Sequence, residues 1–315
     1  MDNDGWELEF STNNMVKRGD WTLDLSLNFS NYVNTIIELD ENVLNNYNPD
    51  FNYTNGGYLT RLQINNSFGS IYGFRYKGVY HKYQPDNPDA TAPVVRDENG
   101  NVVLDGKGET IPMYFAYGTS NAYRFRGGDA IYEDINHDGT IDELDIVYLG
   151  NSNPKFDGGF GATLRWKRLT LNMFFNYRVG GKIINYGRMD AENMYSTNNQ
   201  SIATNWRWRK DGDMTEIPRA LYQYGYNYLG SDRFVEDGSF LRLNYLQLSY
   251  GFDSKLVKRI GLSRLNLYVS GENLFCLTKY SGVDPEVNYG SMGVTKDEAI
   301  TPRAKSFTFG LTATF

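Results

Sequence analysis

Apolar and polar residues alternate with period two over several separated stretches of this chain. In the last of them Phe307, Phe309, Leu311, Ala313 and Phe315 share one face, and Ser306, Thr308, Gly310, Thr312 and Thr314 share the other. A membrane-spanning β-strand needs about 9–11 residues of this kind, apolar toward lipid and small or polar toward the lumen. The alternation predicts a hairpin at the start: Trp6, Leu8 and Phe10 alternate, Asn13 to Asp20 forms a polar turn, and Trp21, Leu23, Leu25, Leu27 and Phe29 return on one face. Opposite them lie Thr22, Asp24, Ser26, Asn28 and Ser30. Aromatics at both ends of that strand suit two interfacial girdles, and a water-facing sandwich strand is seldom so long.

Further along, Tyr58 to Ser67 alternates weakly through Leu62 and Ile64, and glycines interleave with aromatics from Phe68 to Tyr80. Residues 85–110, punctuated by Pro and Gly, read as an exposed loop. A second hairpin spans 158–178: Phe160, Ala162, Leu164 and Trp166, a tight Lys167-Arg168 turn, then Leu169, Leu171, Met173, Phe175 and Tyr177. Residues 181–235 read as a long excursion with a helical piece near 187–195, and strands follow at 239–252, 263–275 and 305–315. In the first of these the apolar phase slips from Leu241, Leu243 and Tyr245 to Leu246, Leu248 and Tyr250, which predicts a bulge near Asn244–Leu246. The pattern gives about nine to eleven strands, with short turns on one side and long loops on the other.

Composition changes this picture little. The 25 Tyr, 18 Phe and 32 Gly suit aromatic girdles and glycine-marked turns. No run of eighteen or more apolar residues occurs, which excludes helical spans. A net charge of −7 without a basic block gives nucleic-acid binding no support. Lone Cys276 forms no disulfide framework and reads as a packing residue. The first residues are acidic and lack a secretory signal, so a barrel reading expects that segment upstream of Met1.

The sharpest chemical motif is Asp134 to Asp145, which has the Ca²⁺-loop spacing with Gly139 at the turn position. A hard cation takes oxygens from one tight loop. Asp134, Asn136 and Asp138 would give side-chain oxygens, Thr140 its carbonyl, and Asp142 a direct or water-mediated contact; Asp145 stands where an EF-hand has a bidentate Glu. Ile141 packs inward. The competing reading is an Asx-turn without metal. Two aromatic arrays could meet a ligand: Trp206 and Trp208, and Tyr222, Tyr224, Tyr226 and Tyr228. They suit sugar stacking, or equally a girdle or loop packing. His81 and His137 lack a catalytic partner at a known spacing, and nucleotide, zincin and hydrolase motifs are absent, so no catalysis is expected.

The run Gly127 to Asp142, with Gly150-Asn151-Ser152-Asn153-Pro154-Lys155-Phe156, Asp237-Gly238-Ser239-Phe240-Leu241-Arg242-Leu243, Gly271-Glu272-Asn273-Leu274-Phe275 and Lys279 to Val287, resembles the SusC/RagA-like TonB-dependent outer-membrane transporters of Bacteroidetes. The resemblance implies an all-β, antiparallel transmembrane barrel of roughly 22 strands with a plug. Residues 1–315 would be the C-terminal part of that barrel, without the plug, and 134–145 a Ca²⁺-type loop inside an insertion. It also implies the outer membrane as location, import of glycans or oligopeptides, a SusD-like lipoprotein partner, coupling to TonB through an N-terminal region missing here, and Phe315 as the aromatic read by barrel-assembly machinery. A fragment of this size would not close such a barrel alone. The alternative is a secreted soluble β-protein that binds carbohydrate and is stapled by calcium.

Overall fold

A computed structural model describes residues 1–42, 57–59, 61–81, 92–117, 120–287, 290 and 293–315. The chain opens with β1 (Asp2–Ser11), β2 (Val16–Arg18) and β3 (Trp21–Thr35). A long excursion follows with β4 (Ser70–Gly73), β5 (Tyr76–Val79), β6 (Tyr114–Tyr117), β7 (Ser120–Arg124), β8 (Ala130–Tyr132), β9 (Thr140–Ile141) and β10 (Val147–Asn151). Next come the hairpin β11 (Pro154–Trp166) and β12 (Leu169–Gly180), then β13 (Lys182–Asn185), helix α1 (Tyr186–Glu192) and β14 (Val235–Asp237). The chain ends with β15 (Phe240–Gly251), β16 (Arg264–Thr278), β17 (Thr295–Asp297) and β18 (Ser306–Thr314).

Eight strands form one sheet in the order β1-β3-β11-β12-β15-β16-β18, with β2 also on β3. Every pairing in it is antiparallel. Its register shows what the alternation encodes. Leu23 lies opposite Leu164, then Leu171, Leu248, Val269 and Phe309, one apolar row across six strands. One residue along, Asp24 lies opposite Thr163, then Asn172, Gln247, Ser270 and Thr308, a row with no apolar member. Because a strand's side-chain period is two, each row keeps to its own face. Phe309 is 81% exposed, so no other described element covers the apolar face there.

Aromatic pairs mark both ends of the apolar face. Trp21 stacks on Trp166 at 5.4 Å near one rim; Trp6 on Phe29 at 4.9 Å, and Phe29 on Phe156 at 5.1 Å, near the other. The extended path from Trp21 to Phe29 is about 26 Å, which a strand tilt of about 40° reduces to roughly 20 Å of height, most of the roughly 25 Å of a barrel's apolar band. The Trp166–Leu169 turn places Lys167 at a left-handed φ of 54°. The predicted bulge is present: pairing of β15 with both neighbours shifts between Leu243 and Tyr245.

The elements depart from the sequence expectations in three places. The eight-stranded sheet is narrower than the expected nine to eleven strands, and the other strands, which the alternation did not announce, lie outside it as short pairs such as β4–β10 and β5–β8. Tyr58 to Ser67 forms no strand among its described residues; only Leu59 makes a bridge, to Tyr72, while Leu62 turns inward and Ile64 outward. Of the expected loop 85–110, residues 85–91 lie outside the described part. The remainder is partly buried, with Ala92, Val94 and Val95 in the interior and bridges from Val94 to Pro112 and from Arg96 to Val102.

The long connections 36–153, 181–239 and 279–305 all leave one rim of the sheet, and the short turns 12–20, 167–168 and 252–263 lie at the other. The main buried core belongs to the long connections. Phe74, Phe115, Phe125, Ile141 and Leu229 are essentially inaccessible and pack with Tyr72, Tyr80, Tyr123 and Tyr132. The molecule is thus a two-faced sheet with a separately packed cap on one edge.

Candidate functional site

The Asp134–Asp145 loop hangs from the cap core. Ile141 is fully buried, and Phe115 of β6 lies opposite it in a parallel pairing. The chain reverses through His137 at φ 56° and Gly139 at φ 84°, a conformation glycine adopts without steric cost. The acidic side chains bind the loop's own backbone: Asp134 Oδ2 accepts from Gly139 N at 2.8 Å, and Asp138 Oδ1 from Thr140 N at 2.9 Å. Asp145 is inaccessible and accepts from Ile135 N at 2.7 Å and Asp142 N at 2.9 Å, clamping both ends of the loop. Burial pushes its carboxyl up to about 6 against those two bonds, with the charges of Asp134 and Asp142 adding to the rise. Burial likewise raises Asp134.

The donor set is hard and anionic, the kind a divalent cation takes. Among the described residues, however, no three acidic, His or Cys side chains converge as a metal cluster. The Asn136 amide donates to Asp138 Oδ2 at 2.8 Å, so gathering these oxygens on one ion requires that bond to break.

The aromatic arrays divide between interior and surface. Trp208 is buried, donates its indole N–H to the His81 carbonyl at 3.2 Å, and lies so close to Gly128 that a Cβ there would meet the ring at 2.3 Å. Tyr226 stacks on Phe115 at 4.0 Å, and Tyr228 is buried beside Met189 and Phe234. Trp206, Tyr222 and Tyr224 remain 76%, 62% and 60% exposed, which leaves them free to meet a ligand. Trp206 borders a cleft of about 1180 Å³ with Tyr76, Lys77, His81, Met214 and Arg233. Tyr222 and Tyr224 do not line it, so the two arrays do not form one surface there. Phe315 follows the end of β18 and is exposed, with its carbonyl accepting from the Ser263 hydroxyl at 3.3 Å.

A second cleft, about 840 Å³, lies on the polar face under the cap. Asn28, Ser30, Asp157, Asn176, Arg178 and Glu286 line it. Beside it Arg242, buried on β15, pairs with Asp284 at 2.5 Å and Glu286 at 2.8 Å, and Arg303 reaches Glu286 at 3.1 Å. These contacts tie the 279–305 connection onto the sheet's polar face. Sequence reasoning did not single out Arg178 or Arg242. Their signal was a charged residue at an inward position of an otherwise alternating strand, which becomes meaningful only once the partner loop is known.

No family model matches the chain. It is similar along its whole length to TonB-dependent receptor P3 of Formosa agariphila, with 28% identity over 332 aligned positions and 29% of that relative covered. TonB-dependent receptor SusC of Bacteroides thetaiotaomicron is 25% identical over 234 positions, 72% of this chain and 22% of the relative. Among solved structures, the RagAB peptide transporter shares the fold at a TM-score of 0.64 and 24% identity, over 99% of this chain and 29% of that one. The RagAB peptide importer in the closed-closed state gives 0.63 at 22%. The chain therefore spans under a third of the length of the relatives it matches.

Proposed function

We propose, from the premise that this chain is a homologue of SusC-type TonB-dependent receptors and corresponds to part of one, that it forms a section of an outer-membrane import barrel for oligopeptides or glycans. The observation that carries this reading is the pair of cross-strand rows: Leu23 to Phe309 wholly apolar, Asp24 to Thr308 without an apolar member. A sheet in water hides its apolar face against a second layer. Here that face is left open between two aromatic rims, as lipid requires. The polar face then lines the lumen, and the cap stands over its outer mouth. A secreted soluble carbohydrate binder gives no reason for the open face. The relatives are named as receptors and as a peptide importer, which supports transport rather than catalysis. In the whole transporter a SusD-like lipoprotein would meet the cap side, and TonB would supply the drive.

The test places a fluorophore, one at a time, at Leu23, Leu25, Leu171 and Phe309, and at the inward controls Asp24 and Asn172, in a Cys276→Ser background within vesicles. Brominated lipid should quench the first group and spare the second. Equal quenching of both groups, or none of the first, overturns the reading.

We also propose that the Asp134–Asp145 loop takes up Ca²⁺ and rigidifies the cap, consuming its ligands locally. Titration calorimetry should show a Ca²⁺ heat that Asp138→Ala removes; no heat with the unaltered chain refutes it.

A further inference from the structure

Charge is distributed unevenly between the two rims. The short turns 12–20, 167–168 and 252–263 hold seven Lys or Arg against two Asp, although the whole chain has a net charge of −7. Both acids are already engaged at the rim, Asp20 with Lys167 at 3.8 Å and Asp253 with Arg168. Lys255, Lys258 and Arg259 lie on a short helical turn over residues 254–260 and are exposed. Among the described residues their side chains make no hydrogen bond or ion pair.

The same turn exposes Leu256 (55%) and Ile260 (67%) while it buries Val257. Leu256 and Ile260 are four residues apart and so share one side of the turn. Charges flanking outward leucine-type side chains are what an interfacial segment presents to a membrane. Next to it, on the apolar face, runs a groove of about 530 Å³ lined by Leu169, Leu248, Tyr250, Leu267, Phe309 and Leu311. Arg168 connects the two, since its guanidinium pairs with Asp253 of the turn while the next residue, Leu169, lines the groove.

We propose that this rim binds an anionic phospholipid, the phosphate on the basic turn around Arg168, Lys258 and Arg259 and an acyl chain in the groove beneath. The inference rests on the membrane reading above, under which short turns face the periplasm. Charge complementarity selects an anionic headgroup, and the groove running on from the charges selects a lipid over a free phosphate or a nucleic acid. Neither of those has a use for Leu256, Ile260 and an apolar slot. The aromatic rim at Trp21 and Trp166, with the Lys167 ammonium 5.4 Å from the Trp166 ring, continues the same interface.

The chain in a neutral detergent is titrated with phosphatidylglycerol or phosphatidylcholine, and retained lipid is counted by native mass spectrometry. Phosphatidylglycerol should be retained at least tenfold better, and less so as salt is raised. Each basic residue removed should weaken retention by about fivefold, so Lys255→Gln/Lys258→Gln/Arg259→Gln should abolish the preference. Lys107→Gln, in the cap, should leave it unchanged. Equal retention of the two lipids by a chain that needs detergent to stay folded overturns this inference alone. An unchanged preference in the triple variant overturns it as well, and so does displacement of the lipid by an equal concentration of inorganic phosphate. A chain that stays folded without detergent and retains neither lipid overturns the membrane reading itself.

Discussion

At the scale of single residues, the cap depends on one buried carboxylate. Asp129 is inaccessible and accepts hydrogen bonds from Tyr123 Oη at 2.6 Å, Arg126 N at 2.8 Å and Arg219 Nε at 2.6 Å. Burial works against the Arg219 charge, but the bond to Asp129 outweighs it and the guanidinium is held above its ordinary value. Burial, followed by the Asp129 charge, raises the Tyr123 hydroxyl. Asp129→Ala removes the carboxylate that pairs with Arg219, whose side chain is only 16% exposed, and should cost about 3–5 kcal/mol of stability. Urea unfolding of the variant in detergent measures this; a loss below about 1 kcal/mol would falsify the assignment of Asp129 as the hub. Asp129 sits within a motif run read from the sequence, yet nothing local distinguished it from its surface neighbours. Its partners Arg219 and Asn227 come from a distant part of the chain, and only folding brings them within reach.

At the scale of elements, the long alternating strands of the sheet were legible, and the short strands of the cap were not. The 158–178 hairpin follows from alternation alone, because Phe160 faces Phe175 and Leu164 faces Leu171 across a tight turn. β5 is a short element whose partner, β8, lies more than fifty residues on, so no local period announces it. The bulge was legible on one side only. The phase slip at Asn244 revealed the break in β15, but its counterpart on β16 is Asn273 at φ 51°, whose side-chain amide donates to the Ala304 carbonyl at 3.1 Å. A β-branched side chain strains that backbone. Asn273→Val should lower stability by about 1–3 kcal/mol, and Asn273→Gly should lose less, keeping the backbone and giving up only the bond to Ala304. Equal unfolding midpoints for the Val and Gly variants would show that backbone strain is not the cause.

At the scale of the whole molecule, three features separate along one axis: a basic turn rim, an apolar band between aromatic rims, and a cap with its own core. The sequence by itself determined the two faces of the wall. A period of two assigns each residue of a strand to one side, and the aromatic ends set the band's height. It also determined the loop spacing at Asp134–Asp145 and the family resemblance, since both are carried by residues in order. Only the tertiary structure decided which aromatics remained exposed, Trp206 rather than Trp208, and Tyr222 and Tyr224 rather than Tyr226. It alone joined Arg242 of the wall to Asp284 and Glu286 of a loop, and collected the charges of three separate turns on one rim. The physical reason is range. Alternation is a property of neighbouring residues, whereas burial and charge pairing depend on segments that meet only after the sheet has brought their ends together.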